Sequence, residues 1–323
     1  MKRLVGYALL AGVLIGVAIG VWLLSSWNAA GPAAKPVAVV VPEGASLSRA
    51  AEAMEKAGAL SSSESFLFQA KLFGGGAAIH AGEYQVPAKA SPSDILALMQ
   101  SGKTLQRFVT IPEGMPSVLV RDRLMAATTL TGNVPVPEEG SVLPDSYSYQ
   151  RGETRAAVLK RMQDAMTKEL DRLWAKRQPH SVVKDKREAI ILASVVEKET
   201  GKPSERPMVA GVYSNRIRIG MKLDADPTVI YPITKGRPLG RRIRRSELQA
   251  NNGYNTYAMV GLPAGPIANP GRESIAAVLN PAKTEALYFV ADGTGGHIFA
   301  NTLAEHNANV QKWYALRRAR GEM

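Results

Sequence analysis

The sequence contains no cysteine. That excludes disulfides, thiolate nucleophiles and cysteine-ligated metals, and it is compatible with an oxidising compartment without establishing one. Histidine is scarce: His80, His180, His297 and His306 show no HExxH or comparable ligand spacing, so neither a metal nor a cofactor is expected. No Gly-x-Ser-x-Gly elbow and no Walker loop occurs, which leaves acyl and phosphoryl transfer without support. Chemistry is left to carboxyl groups and to the polar-aromatic loops around them.

Acidic residues are outnumbered, 28 against 40 Lys and Arg, for a formal net charge of +12. This balance favours acidic surroundings such as nucleic acid, anionic headgroups or a carboxylate-bearing polymer. Met1-Lys2-Arg3 precedes an uncharged run from Leu4 to Leu24, about the 20 residues that cross a bilayer as a helix. Lys2 and Arg3 are expected on the cytoplasmic side, with Trp22 and Trp27 at the far interface. A cleaved signal peptide is the alternative, since Asn28-Ala29-Ala30 offers small residues. The apolar run exceeds the usual signal core, which favours a retained anchor, with the rest of the chain outside the inner membrane. An exported domain rarely meets nucleic acid, so cell-wall polymer and phospholipid are the expected partners. The run Arg241-Arg242-Ile243-Arg244-Arg245 reads as a solvated loop.

Composition and patterning divide the chain into a cytoplasmic tip and transmembrane helix (1–27), a stiff linker (28–36), an α+β subdomain (37–106) and a longer domain (107–323). The linker contains Gly31-Pro32-Ala33-Ala34-Lys35-Pro36. Val39-Val40-Val41-Pro42-Glu43-Gly44 and Val109-Thr110-Ile111-Pro112-Glu113-Gly114 form a weak repeat. Each is a β-branched strand and turn, followed by Ser46 or Ser117 and a helical pattern. A second helix with capping-box character begins in Ser61-Ser62-Ser63-Glu64, a strand returns at Glu83–Val86, and Ser91-Pro92 starts another helix. This strand–helix–helix–strand order resembles the LysM glycan-binding module, and a purely structural spacer is the alternative. Beyond Asp145 the chain is helix-rich, with helices expected over Thr154–Arg177, Lys184–Thr200, Pro207–Arg218 and Leu303–Arg320. Short strands are expected at Thr228–Tyr231 and Ala286–Ala291, among Gly/Pro-rich loops. The fold class is α+β.

Glu199 is the most informative residue. Leu192, Val195, Val196 and Glu199 fall at i, i+3, i+4 and i+7, so the carboxyl continues an apolar stripe at the end of a helix, just before Gly201-Lys202-Pro203. Glu197 points toward the side carrying Ile190 and Ser194. A carboxyl among hydrophobic neighbours resists ionisation and can donate a proton near neutrality. A frayed helix end meeting solvent is the competing reading. Three loops carry tyrosines and amides of the kind that suit sugars, through stacking on ring faces and hydrogen bonds to hydroxyl and N-acetyl groups. They are Asp224–Tyr231, Tyr254–Tyr257 and Gly261–Gly271. Half-buried packing and rigid turns are the structural alternatives for each.

In order along the chain, the following segments resemble the YceG-like endolytic murein transglycosylases (MltG family) of the bacterial inner membrane: Val196-Glu197-Lys198-Glu199-Thr200, Asn215-Arg216-Ile217-Arg218-Ile219-Gly220-Met221, Asp226-Pro227-Thr228-Val229-Ile230-Tyr231, Tyr254-Asn255-Thr256-Tyr257, Gly261-Leu262-Pro263, Pro266-Ile267, Asn269-Pro270-Gly271, Tyr288-Phe289-Val290-Ala291 and Gly295-Gly296-His297. The resemblance runs from the anchor to the C-terminal helix. It implies that Glu199, the second glutamate of Glu-Lys-Glu-Thr, is catalytic. It also implies a glycan groove lined by Asp224, Thr228, Tyr231, Tyr254, Asn255, Thr256, Tyr257, Pro263 and Asn269. Glu197 and Asp226 are supporting candidates, although Asp226 also suits a turn cap before Pro227. Asp224 stands where relatives often have Gln, and Ser141–Tyr147 lacks the aromatics usual there.

The implied reaction cleaves the MurNAc-β-1,4-GlcNAc bond within nascent peptidoglycan strands and leaves 1,6-anhydroMurNAc ends, which terminates elongation. Glu199 gives its proton to the glycosidic oxygen and then takes the proton of the muramoyl C6 hydroxyl. A link to synthases of elongation or division is implied only by the resemblance. Three alternatives are a hydrolytic muramidase, a non-catalytic wall-binding scaffold and, on charge alone, a nucleic-acid binder.

Overall fold

The computed structural model of the protein describes residues 2–322, with side chains described throughout except at positions 2–5 and 8. The expected placement of Lys2 and Arg3 therefore concerns side chains outside the described ones. Helix α1 (Lys2–Asn28) is continuous. Its Leu9–Asn28 stretch has a mean hydropathy of 2.2, is not buried before Trp27, and is long and apolar enough to cross a membrane.

Two compact units follow from the packing, Met1–Arg107 with Tyr149–Arg151, and Phe108–Ser148 with Gly152–Met323. In the first, β1 (Val37–Val41) alternates buried and exposed side chains and pairs antiparallel with β2 (Gly82–Val86), setting Val39 opposite Tyr84. Between them run α2 (Leu47–Lys56), capped by Ser46, and α3 (Ser63–Phe73). Ser62 caps α3 by accepting from Ser65 N, in place of the expected box through Glu64. The reciprocal box falls instead on Ser91 and Asp94, at the start of α4 (Pro92–Ser101). Val39, Val41, Met54, Phe66, Tyr84, Ile95 and Met99 form the core, and Trp27 joins it at 6% exposure rather than facing a lipid interface. The segment expected as a linker is bonded to this unit: Gly31 N donates to Lys89 O, Lys89 N donates to Ala33 O, and Ala33 is buried.

The second unit is mostly helical. Strands β3 (Arg107–Thr110) and β4 (Ser146–Tyr149) pair with one another, and α5 (Ser117–Ala126) follows the second Pro-Glu-Gly turn. The long helix α6 (Arg155–Trp174) buries Val158, Met162, Met166 and Leu173. Helix α7 (Lys186–Glu199), capped by Asp185, is surrounded: every residue from Ala189 to Val196 is buried. It packs against α8 (Arg206–Arg218), α9 (Asp226–Thr234) and α11 (Arg272–Leu279), with the short α10 (Arg245–Leu248) preceding α11 in the chain. The hairpin β5 (Tyr288–Ala291) and β6 (His297–Ala300) is antiparallel and packs against α12 (Leu303–Ala319).

The expected strand Thr228–Tyr231 is a helix. Its β-branched run suits a strand by propensity, but Pro227 sits in the first turn and Thr228 turns its hydroxyl back to Ala225 O at 2.7 Å. Contact with α7 decides in favour of the helical packing. Strands β4 and β6 were not expected from the pattern.

Candidate active site

Two helices bring matching stripes to one place. On α7, Leu192, Val195 and Val196 are fully buried and Glu199 continues their line. On α8, Val209, Val212 and Tyr213 are buried at the same spacing, and Arg216 continues it at 8% exposure. Gly211 lets the 282–284 segment lie close against α8: a Cβ there would stand 2.7 Å from Ala282 O. The charged ends of both stripes open into a cavity of about 490 Å³ that also receives Asp224, Asp226, Tyr257 and Tyr288.

Glu199 sits at this cavity with Oε1 out of solvent contact and, among the described residues, without a hydrogen-bond partner. The Tyr213 hydroxyl donates to the same carboxyl. Burial, and next the charge of Asp226, push the Glu199 pKa up from 4.5 to about 7, while the Tyr213 bond and the Arg216 charge oppose the rise. The group thus carries its proton near neutrality and can also give it up. Tyr213 itself is 1% exposed, and burial raises its pKa well above the ordinary phenol value.

Asp226 is the first residue of α9. It accepts the Tyr257 hydroxyl at 2.7 Å. Arg216 is held almost wholly by main chain: Nε donates to Leu287 O at 2.6 Å, and Nη1 donates to Leu223 O at 2.8 Å and Lys222 O at 3.2 Å. Its guanidinium lies 5.4 Å from the Tyr288 ring, which stacks on His306 from the start of α12. Asp224 lies 3.6 Å from Arg216 in a left-handed backbone conformation (φ 48°), and its pKa is raised by burial. The left-handed region is uncommon for a non-glycine residue, and Asp tolerates it better than most.

A family model described as YceG-like matches residues 39–312 of the chain. The chain belongs to the YceG-like family. Over 310 residues it is 27% identical to an endolytic murein transglycosylase of Bacillus subtilis (strain 168), with 86% of this chain and 84% of the relative covered. It is 29% identical over 325 residues to one of Streptococcus pneumoniae serotype 2, with 85% of this chain but only 58% of the relative covered. A crystal structure of a YceG-like protein from Listeria monocytogenes superimposes with a TM-score of 0.53 at 26% identity, covering 85% of this chain and 99% of that one.

Of the residues singled out in this YceG-like chain, Glu199, Asp224, Asp226 and Tyr257 meet in the cavity. Others hold its surroundings. Thr228 and Thr256, both fully buried, join hydroxyls at 2.9 Å, and Thr256 Oγ1 accepts Ala225 N, which clamps the start of α9 to the Tyr254–Tyr257 turn. Asn255 Nδ2 donates to the carbonyls of Glu247, Leu248 and Ala250, and its Oδ1 accepts Tyr257 N. Asn269 is fully buried, donating to Met115 O and Ser117 Oγ and accepting Val142 N. Tyr231 packs on Tyr254 with ring centroids 5.1 Å apart and bonds to Glu139, and Pro263 is buried. Glu197 points away from the cavity. It accepts Arg206 Nη2 at 3.0 Å, Gly271 N at 2.9 Å and Ser274 Oγ at 2.7 Å, and so caps α11.

Tyr213, Arg216, Tyr288, His306 and Asn307 line the cavity and were not among the expected site residues, although Arg216 and Tyr288 lie in segments that carry the resemblance. The signal for two of them was present, because Val209, Val212, Tyr213 and Arg216 repeat the stripe that drew attention to Glu199. For Asn255 the expected role differs from the one its bonds support. Asn255→Ala should lower stability by roughly 2 kcal/mol, because it strips partners from four part-buried main-chain groups. A urea midpoint measures this. A large rise in KM with unchanged stability would return Asn255 to direct sugar contact.

Proposed function

We propose that this protein is an endolytic peptidoglycan lytic transglycosylase. It cleaves MurNAc-β-1,4-GlcNAc bonds within glycan strands and leaves 1,6-anhydroMurNAc ends. The observation that carries the reading is Glu199 itself, which lines the cavity with a shielded Oε1 that has no partner among the described residues, and whose pKa is pushed up to about 7. The protonated carboxyl donates to the glycosidic oxygen. The resulting carboxylate takes the proton of the muramoyl C6 hydroxyl as that oxygen closes on the anomeric carbon. One residue serves both steps because the nucleophile belongs to the sugar. Asp226, held by Tyr257, supplies negative charge beside the developing oxocarbenium ion. Arg216, Tyr288 and His306 form a wall against which a sugar ring can lie.

Asp226 also favours a second reading, since paired carboxyls serve ordinary glycosidases. A muramidase would leave reducing ends. Digestion of purified glycan strands followed by mass analysis decides: products one water lighter than the hydrolytic ones support the lytic reaction, and reducing ends overturn it.

The bond from Tyr213 favours the charged form of Glu199. Tyr213→Phe should therefore raise the Glu199 pKa further and move the alkaline limb of the kcat/KM profile to higher pH. An unmoved limb would separate Tyr213 from the acid's titration.

We read α1 as a single-pass inner-membrane anchor with a cytoplasmic N-terminus and the other residues periplasmic. The β1–α2–α3–β2 order supports a LysM-like role in holding glycan. Termination of nascent strands beside wall synthases fits an enzyme tethered where those strands emerge.

A further inference from the structure

Helix α3 leaves an apolar face uncovered next to the place where α1 ends. Phe68 and Leu72, four residues apart and so on one side of the helix, are 56% and 54% exposed, and Phe73 is 38% exposed. The chain continues through Gly74-Gly75-Gly76-Ala77-Ala78-Ile79, so nothing between Lys71 and His80 carries a charge or a hydroxyl. Contiguous exposed apolar surface of this kind marks a contact site.

The position of α3 beside α1 is fixed. The Trp27 ring stands 5.9 Å from Phe66 and 6.2 Å from Phe73, and Gln69 Nε2 donates to Ser26 Oγ at 2.7 Å. Ser93 Oγ donates to Asn28 Oδ1 at 3.0 Å from α4. The segment after α1 does not act as a loose tether: a Cβ on Gly31 would lie 2.3 Å from Ala90 O. The 20 residues Leu9–Asn28 rise about 30 Å as a helix, the thickness of a hydrocarbon core. With that stretch in the bilayer, the turn holding Ser26 and Trp27 lies at headgroup level. Helix α3 touches this turn and shares its depth.

We propose that α3 and the Leu72–Ile79 segment form a second membrane contact, inserting Phe68, Leu72 and Phe73 into the leaflet from which α1 emerges. The inference rests on the reading of α1 as a membrane span. Interfacial helices sink their apolar face about 5–10 Å into the boundary between headgroups and acyl chains. Lys71, exposed between the apolar residues, runs its stem along the lipid and carries its ammonium to the phosphates. Attachment at two points, one spanning and one lying flat, holds this unit at a set height on the bilayer.

The absence of cysteine makes the test direct, because a single introduced cysteine is labelled uniquely. Full-length Phe68→Cys and Leu72→Cys carry an environment-sensitive fluorophore in vesicles of phosphatidylethanolamine and phosphatidylglycerol. Leu14→Cys in α1 reports the span, and Lys168→Cys on the exposed side of α6 reports water. The expected result is quenching at 68 and 72 by lipids spin-labelled near the headgroup, with iodide quenching several-fold weaker than at 168. Iodide quenching at 68 and 72 equal to that at 168, with 14 protected, overturns the second contact and leaves the span intact. Protection from iodide at 68 and 72 without quenching by lipid points to a protein partner and also overturns it. If 14 is open to iodide, the spanning reading fails and the proposal fails with it.

Discussion

Glu199→Gln is expected to lower the rate of anhydro-end release from glycan strands by about 10²–10⁴-fold, the usual worth of general acid–base catalysis. The amide keeps the shape and removes the proton, so strand binding should persist. The same substitution should stabilise the fold. A carboxyl whose pKa rises from 4.5 to about 7 on folding binds its proton more tightly in the folded state. The stability it contributes is fully present below pH 4.5 and is lost as pH rises through about 7. At pH 8 the cost of holding the ionised group is on the order of 3 kcal/mol. Glu199→Gln removes that cost, so its melting temperature should exceed wild type at pH 8 and converge with it near pH 4. Wild-type kcat/KM should fall on the alkaline side with an apparent pKa near 7. Full activity in the variant, or a melting temperature that gains nothing at pH 8, would remove Glu199 from the role. Glu197→Gln is the companion measurement. Its carboxyl caps α11 and pairs with Arg206, so its loss should appear chiefly in stability.

How much of this was legible in the sequence depended on the range of the contacts involved. The stripe ending in Glu199 could be read because helical periodicity is local, and the helices over 155–174, 186–199, 206–218 and 303–319 lie within a few residues of their expected bounds. Arg216 ends a stripe of the same spacing and lies in a matching segment but was not read as a site residue, since a buried arginine reads as surface until its main-chain partners are known. These are Leu287, Leu223 and Lys222. Residues 226–234 were misread because side-chain branching favours a strand while Pro227 and the packing on α7 impose a helix. Whether a loop amide faces a sugar or braces a wall is settled over long separations: Asn269 reaches Met115 across 154 positions, and Thr228 meets Thr256 across 28. No local pattern carries that information. The two Pro-Glu-Gly turns illustrate the same limit. Both end in a glycine with positive φ and both glutamates are exposed, yet Glu113 also pairs with the buried Arg206.

That pairing carries the second large effect. Arg206 is 8% exposed, and its Nη2 lies 2.7 Å from Glu113 Oε2 and 3.0 Å from Glu197 Oε1. Glu197 is 5% exposed on its side chain, whereas Glu113 is 42% exposed and can turn to water. Arg206→Ala therefore strands one buried carboxylate, for which the cost is typically about 3–5 kcal/mol. The bonds from Gly271 N and Ser274 Oγ remain and place the expected loss near the lower end. Glu113→Gln should cost far less, because an exposed partner contributes little. The double variant Arg206→Ala with Glu197→Gln should lose less than the sum of the two single changes, because no unpaired buried charge is left behind. Urea midpoints across this cycle measure the coupling. Additive losses would show that the two groups do not interact. An Arg206→Ala midpoint equal to wild type would show that the triad holds nothing together. The cycle also bears on catalysis, since Glu197 lies on the last turn of α7, two residues before Glu199. A loosened turn lets water reach Glu199, so its carboxyl should ionise at lower pH. The alkaline limb of the Arg206→Ala activity profile should therefore move to lower pH, the opposite of the shift expected for Tyr213→Phe.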